Sequence, residues 1–323
     1  MHPEITERLA SMSQHGDIPH LLFHGPRGSG KMTLVNDLLV RLYGPGVKRV
    51  TTEKRCVNTR SSKQTIEIDV RVSNYHIEIE PSDAGLNDKY DVQDVIKNMA
   101  TNGSIAAALM SGAVSHKTIV LRGAGNSTKQ AQAGLRRTME TFSGSCRLIL
   151  VCTYASRVIE PLRSRCVSVR VPLPTAEALA GAVALKICSM SSDQSLVDKI
   201  VQNSGRSISQ AMLMAKLGSC DKMIWVQYTE AIARGVFLEQ SRRKLIDVRE
   251  SLEELLTAGV PASTILKTLA HNLEGATEVK RDVVKWAAIY EHRAAVGSKD
   301  ILHLEAFVAT VMHEYKHMVK EFV

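Results

Sequence analysis

Between residues 20 and 33 the chain reads His20-Leu21-Leu22-Phe23-His24, then Gly25-Pro26-Arg27-Gly28-Ser29-Gly30-Lys31-Met32-Thr33, and an apolar helical pattern comes next. This is the spacing Gly-x4-Gly-Lys, set between a short apolar strand and a helix, the context in which the spacing carries chemistry. Glycines allow backbone N–H groups to turn inward around phosphate oxygens. The start of the helix adds partial positive charge, and a lysine supplies a point charge for the terminal phosphates. Gly25, Pro26, Arg27, Gly28, Ser29, Gly30, Lys31, Met32 and Thr33 are therefore the candidate nucleotide-binding residues, with ATP or ADP the expected cofactor.

A strand–loop–helix of this kind needs a parallel sheet to sit in. Strand candidates occur at Thr65–Val72, Tyr75–Glu80, His116–Leu121, Arg147–Thr153 and Val167–Val171. Helical patterns over Lys31–Tyr43, Val92–Met99 and Thr128–Phe142 lie between several of them. Alternation of strands with helices predicts an α/β fold with a mainly parallel sheet covered on both faces. Ser73-Asn74 between two strand candidates predicts a local hairpin within it. After Val171-Pro172-Leu173-Pro174 the strand signals stop, and the prolines mark a boundary. Beyond it the chain reads as helices. Val248, Leu252, Leu255 and Leu256 form one stripe, and Ile265, Leu266 and Leu269 come after Gly259-Val260-Pro261 with Ser263 as a cap candidate. Leu304, Phe307, Val308, Val311 and Met312 form a third stripe, and all three are expected to be intrachain core. The N-terminus, Met-His-Pro-Glu-Ile-Thr-Glu, is polar and shows no secretory signal, and the early first strand suggests further N-terminal structure.

The groups that would turn a nucleotide over are missing. The position after the loop lysine, where a hydroxyl usually ligates Mg²⁺, is Met32, a soft ligand poorly suited to a hard cation. Thr33 lies one residue later, about 100° around the helix. The later core strand that should end in metal-holding acids reads Lys117-Thr118-Ile119-Val120-Leu121-Arg122-Gly123, without a carboxylate. A cation at that place repels a metal ion, so no well-held Mg²⁺ is expected.

Two segments carry a resemblance. Thr128-Lys129-Gln130-Ala131-Gln132-Ala133-Gly134-Leu135-Arg136-Arg137-Thr138-Met139-Glu140 and Pro161-Leu162-Arg163-Ser164-Arg165-Cys166 resemble the small subunits of replication factor C, the sliding-clamp loader of the AAA+ class. Asp17-Ile18-Pro19-His20, Tyr43-Gly44-Pro45-Gly46, Tyr75–Asp83 and Ile301–Glu305 extend the likeness over nearly the whole chain, which looks most like the catalytically degenerate member at the end of the pentameric arc. The resemblance implies an AAA+ P-loop module over 1–173, a helical lid over 174–221 and a C-terminal all-α collar for oligomerisation over 222–323. It places the magnesium hydroxyl at Met32, the acidic pair at Arg122 and Gly123, the first sensor at Thr153 and the second at Ser209, with Arg206 competing for the last. The family's Trp-x2-Lys-Tyr-Arg-Pro element near the adenine is absent. Arg165 is implied to reach the γ-phosphate held by a neighbouring subunit, where a guanidinium is worth about 10³–10⁵ in rate. Helix N-termini near Asn87–Asp91 and at Thr128 and Lys129 are implied to track the DNA backbone. Arg136 and Arg137 serve either that contact or intersubunit pairing.

The resemblance thus implies a subunit that binds nucleotide without turnover and works in a heteropentamer, loading a sliding clamp onto primer–template DNA in replication and repair, in the nucleus. An active AAA+ ATPase and a P-loop phosphotransferase are the rival readings. Composition is compatible: 323 residues, 44% apolar, 23% charged and net +8 suit a chain of about two domains with an acidic or nucleic-acid partner. The apolar stretches are too short for a transmembrane helix. Six cysteines without a Cys-x2-Cys pair, and His20/His24 and His313/His317 without accompanying thiols, predict free packed thiols and no zinc site.

Overall fold

A computed structural model describes residues 2–14, 17–58, 65–80, 116–144, 146–187, 194–217, 223–273, 280–297 and 299–321. The expected helix Val92–Met99 and the stretch Asn87–Asp91 lie outside the described residues. Contacts divide the chain into two compact units, Met1–Cys220 and Asp221–Val323.

The first unit is built on seven strands: β1 (Leu21–His24), β2 (Thr51–Asn58), β3 (Thr65–Val72), β4 (His76–Ile79), β5 (Lys117–Arg122), β6 (Cys146–Cys152) and β7 (Val167–Arg170). Their order is β2-β3-β4-β5-β6-β1-β7. The five strands from β4 to β7 pair in parallel, and β2, β3 and β4 pair antiparallel. The sheet is thus mainly parallel, with the hairpin expected at Ser73-Asn74 in place. Parallel strands buried on both faces send successive side chains to opposite cores. Leu21, Phe23, Ile149, Val151 and Val120 enter one cluster, and Leu22, Leu148, Leu150, Ile119 and Leu121 enter the other.

Helices cover both faces. The first core receives Leu9 from α1 (Pro3–Ser13) and Leu34, Val35, Leu38 and Leu39 from α2 (Lys31–Tyr43). The second receives Leu135 and Met139 from α3 (Lys129–Thr141) and Leu162 from the single-turn α4 (Glu160–Arg163). Three more helices lie among the described residues of the unit: α5 (Ala176–Ile187), α6 (Gln194–Asn203) and α7 (Ile208–Leu217). Three elements carry no expectation from the sequence: the single turn α4, β2 and α1. In β2, the charged run Glu53-Lys54-Arg55 hides the strand, and pairing with β3 along its full length supplies the order. In α1 only Leu9 is fully buried, a weak stripe on an otherwise polar helix.

Among its described residues the second unit is all helical: α8 (Ile224–Leu238), α9 (Arg242–Thr257), α10 (Ala262–Leu273), α11 (Lys280–Val296) and α12 (Asp300–Glu321). All three predicted stripes lie in its core, with Leu256 partly buried at the margin. Ser263 does not cap: α10 already begins at Ala262, and the Thr264 N–H is taken by the Pro261 carbonyl. Large apolar side chains stand in water on this unit, among them Ile224 (84% exposed) and Leu238 (85%). No helix among the described residues is long and apolar enough to cross a membrane.

Candidate nucleotide-binding site

The loop after β1 is held by its neighbours at both ends. The Gly25 N–H donates to the Thr153 carbonyl at 3.2 Å, tying the loop's entry to the end of β6. A side chain at 25 would collide with the Val171 carbonyl, so the close passage of the chain after β7 requires glycine. Gly28 adopts φ +76°, and the Ser207 side chain occupies the space that a Cβ would fill. The Gly28 carbonyl accepts the N–H of Ile208, the first residue of α7, at 2.9 Å. The loop is thereby fixed to the start of that helix.

Inside the loop, the Ser29 hydroxyl is fully buried without a hydrogen-bond partner, while the Ser29 carbonyl lies 3.3 Å from His2 Nε2. Lys31 Nζ donates to the Gly25 and Pro26 carbonyls at 2.7 and 2.6 Å, and burial lowers its pKa from the ordinary lysine value. A cradle lined by glycine backbone, with a partnerless buried hydroxyl and a lysine tethered only to loop carbonyls, fits a polyphosphate.

It does not fit a catalytic metal. The Met32 side chain is half-buried and packs against the cluster containing Leu21, Phe23 and Leu38, and it offers a metal only a soft thioether. Thr33 is exposed. At the end of β5, Arg122 Nη1 lies 4.0 Å from Glu78 Oε2, and Gly123 takes φ +67°. Glu78, from β4, is an acid next to this position that the linear sequence does not reveal. It is already engaged, with His76 and Arg71 each 3.7 Å away. The His76 ring, aided by the two guanidinium groups, holds the Glu78 carboxyl below the usual range against the opposing effect of burial. Glu80 also approaches: its Oε1 would lie 3.8 Å from a Cβ at 123. Among the described residues no group of three or more His, Cys, Asp or Glu side chains is arranged to hold a metal ion.

The remaining positions separate in space. Arg206, in a left-handed conformation at φ +64°, gives Nε and Nη2 to the Pro174 carbonyl at 3.0 and 2.8 Å. Its guanidinium is directed to that carbonyl, while Ser209 is exposed in the first turn of α7. Thr128 caps α3 by accepting the Ala131 N–H at 3.2 Å, and exposed Lys129 opens the helix. Gln132, to which the sequence assigns no role, is 2% exposed and ties three segments together. Its amide donates to the Ser127 and Arg157 carbonyls, both at 3.1 Å, with the Ala124 carbonyl 3.4 Å from the same nitrogen, and its oxygen accepts the Ile159 N–H at 2.8 Å. A glutamine among the apolar positions of a helix is the only signal that could have singled it out.

Arg165 lies between α4 and β7. In this single chain its Nη1 donates to the Pro161 carbonyl and its Nη2 meets Glu140 Oε1, both at 2.8 Å. Cys166 beside it is packed on the sheet core, and burial pushes its thiol up to about 11. Cys146 and Cys152 are likewise free and buried.

The chain has relatives among known proteins. Residues 225–319 match the family described as replication factor C subunit 3, C-terminal domain, and residues 1–175 match DNA polymerase III, delta subunit. Replication factor C subunit 3 of Arabidopsis thaliana is 38% identical over 338 residues, covering 99% of this chain and 94% of the relative. The human protein of that name is 37% identical, covering 99% and 93%. Replication factor C subunit 5 of Schizosaccharomyces pombe is 35% identical, covering 97% and 92%. Among solved structures, a DNA polymerase III gamma subunit-related protein from Thermotoga maritima matches with a TM-score of 0.50 at 12% identity, covering 96% of this chain and 99% of its own. Parallel sheet, phosphate loop, lid helices and helical C-terminal unit are thus the AAA+ clamp-loader arrangement, and the chain belongs to the replication factor C subunit 3/5 family of clamp-loader subunits.

Proposed function

We propose that this subunit grips ATP or ADP without hydrolysing it and contributes Arg165 to the site of an adjacent subunit. Within an assembly of replication factor C subunits, it would help open a sliding clamp and place it on primer–template DNA, in nuclear replication and repair. The observation that carries the reading is the pairing of an intact phosphate cradle with a metal position given over to other uses. Met32 is packed into the core, and Arg122 with left-handed Gly123 stands where acids are needed. Lys31 would leave its loop carbonyls for the terminal phosphates, and the Ser29 hydroxyl and loop N–H groups would meet the others. Bound nucleotide supplies anionic oxygens that the loop and the start of α2 neutralise. The chain's own part is to bind and to keep the lid helix α7 docked on the loop. Thr128 and Lys129, at an exposed helix start, suit a phosphate backbone without reading its sequence.

Arg165 supports the second half of the proposal by its position. It is 36% exposed, and its pair with Glu140 is a surface ion pair, so its guanidinium remains open to a phosphate carried by a neighbour. The exposed apolar side chains of the C-terminal unit suit assembly with other subunits. The test is a titration of the purified chain with a fluorescent ATP analogue, with Mg²⁺ and with EDTA, alongside steady-state turnover. Binding that survives EDTA, with no turnover above background, is expected. Turnover at the rate of an active clamp-loader subunit would overturn the reading.

A further inference from the structure

We propose that Glu140 is the positioning residue of Arg165, and that Arg136 holds Glu140 in that role. Together the three side chains present one cationic unit to an anion carried by the adjoining subunit. This rests on the reading of Arg165 as a group acting on a neighbour.

Both arginines meet the same carboxylate oxygen. Arg165 Nη2 lies 2.8 Å from Glu140 Oε1, and Arg136 Nε lies 3.2 Å from it. Arg136 and Glu140 stand one turn apart on α3, whereas Arg165 comes from the loop after α4, so the carboxylate joins two elements. Two guanidinium groups brought together without it would repel each other. With it, the trio keeps a net charge of +1, two cations against one anion, and the side chains remain 36–47% exposed. The contacts from Arg136 foremost, then from Arg165, hold the Glu140 carboxyl below its usual range, so it stays ionised at neutral pH.

The backbone at 165 is fixed independently. Its N–H donates to the Leu162 carbonyl at 3.1 Å, and Cys166 packs on the core. Glu140 and the Pro161 carbonyl are therefore what steer the side chain. They engage two of the five N–H donors of a guanidinium, so three can address an incoming phosphate while the group stays oriented. A long side chain held in one direction loses less freedom when it binds, which favours the reaction next door. The same contacts give Arg136 a place in this unit, a choice the sequence leaves open.

The experiment uses the assembled complex, with the loop lysines of the other active subunits replaced so that only the site facing Arg165 turns over. Arg165→Ala is expected to remove most of that turnover. Glu140→Ala is expected to lower kcat by about 2–5-fold, the range of an exposed ion pair, with KM for ATP little changed. Glu140→Gln, which keeps an acceptor without charge, should fall between wild type and Glu140→Ala, and Arg136→Ala should show a smaller loss in the same direction. In the background of Arg165→Ala, Glu140→Ala should have no further effect, an outcome that a merely structural role would not give. Raising salt should narrow the difference between wild type and Glu140→Ala, because the ion pair is screened. If Glu140→Ala matches wild type while Arg165→Ala is impaired, this inference fails and the reading of Arg165 stands. An additive loss in the double variant also overturns it. If Arg165→Ala is without effect, the reading of Arg165 itself fails and this one with it.

Discussion

Restoring the acids is the most direct way to ask whether the end of β5 alone decides turnover. The double variant Arg122→Asp/Gly123→Glu rebuilds an acidic pair there and leaves Met32, Thr153 and Ser209 unchanged. The structure predicts damage without rescue. Arg122 lies 4.0 Å from Glu78, where two unit charges interact by about 1 kcal/mol in water and about 4 kcal/mol at an effective dielectric of 20. With the Arg122 side chain 32% exposed, the lower figure governs. Losing that attraction and placing an anion beside Glu78 are then each worth about 1 kcal/mol. Gly123 sits at φ +67°, where an L side chain adds about 1–2 kcal/mol, and the new side chain would start 3.8 Å from Glu80 Oε1. The variant should therefore lose at least about 3 kcal/mol, lowering the melting temperature of the first unit by about 6–12 °C. The checks are a thermal melt and steady-state hydrolysis with Mg²⁺-ATP, against Lys31→Ala as the inactive control. Turnover clearly above that control would show that the contributions of Met32, Thr153 and Ser209 are overrated. An unchanged melting temperature would refute the electrostatic account of Arg122.

Two further outcomes are expected from the same geometry. Gly28→Ala forces a Cβ into the Ser207 side chain at a left-handed position, so it should destabilise the first unit by about 2 kcal/mol and weaken nucleotide binding, read by melting with and without ADP. Glu78 has a folded pKa below its unfolded value, so its contribution is complete above the unfolded pKa and disappears as pH falls through the depressed folded one. Denaturant titrations between about pH 2 and 7 should show that slope in the wild type and a flatter one in Glu78→Gln.

The central strands were legible because β1, β4, β5 and β6 are buried on both faces and bounded by glycine, proline and helix. Leu21–His24, Thr65–Val72 and Lys117–Arg122 declare themselves by apolar content or alternation. Strand β2 does not, because its order comes from pairing with β3 and not from its own side chains. The loop was legible as well, since its glycines and lysine are contiguous and their spacing is itself the chemistry. Relations between distant segments were not. Nothing in the linear order tells that Glu78 of β4 sits against Arg122 of β5, that Ser207 closes over Gly28, or that Gln132 joins the turn after β5 to the segment before α4. The same holds for Arg165, whose motif reads clearly while its two partners, Glu140 and Pro161, emerge only when the chain is folded.

Met32 has a consequence for history as well as for chemistry. Its side chain packs, half-buried, against the core that α2 shares with β1, so exchanging it for threonine would gain a hydroxyl and strip apolar contact from that core, at about 0.8 kcal/mol for each buried methylene withdrawn. On the non-hydrolysing reading proposed above, such a step gives no activity while Arg122 and Gly123 stay as they are. A descendant could return toward an active site only by accepting a weaker protein first, with no benefit in between. On that reading, the packing of one side chain works as a ratchet that opposes the return of a hydroxyl at this position.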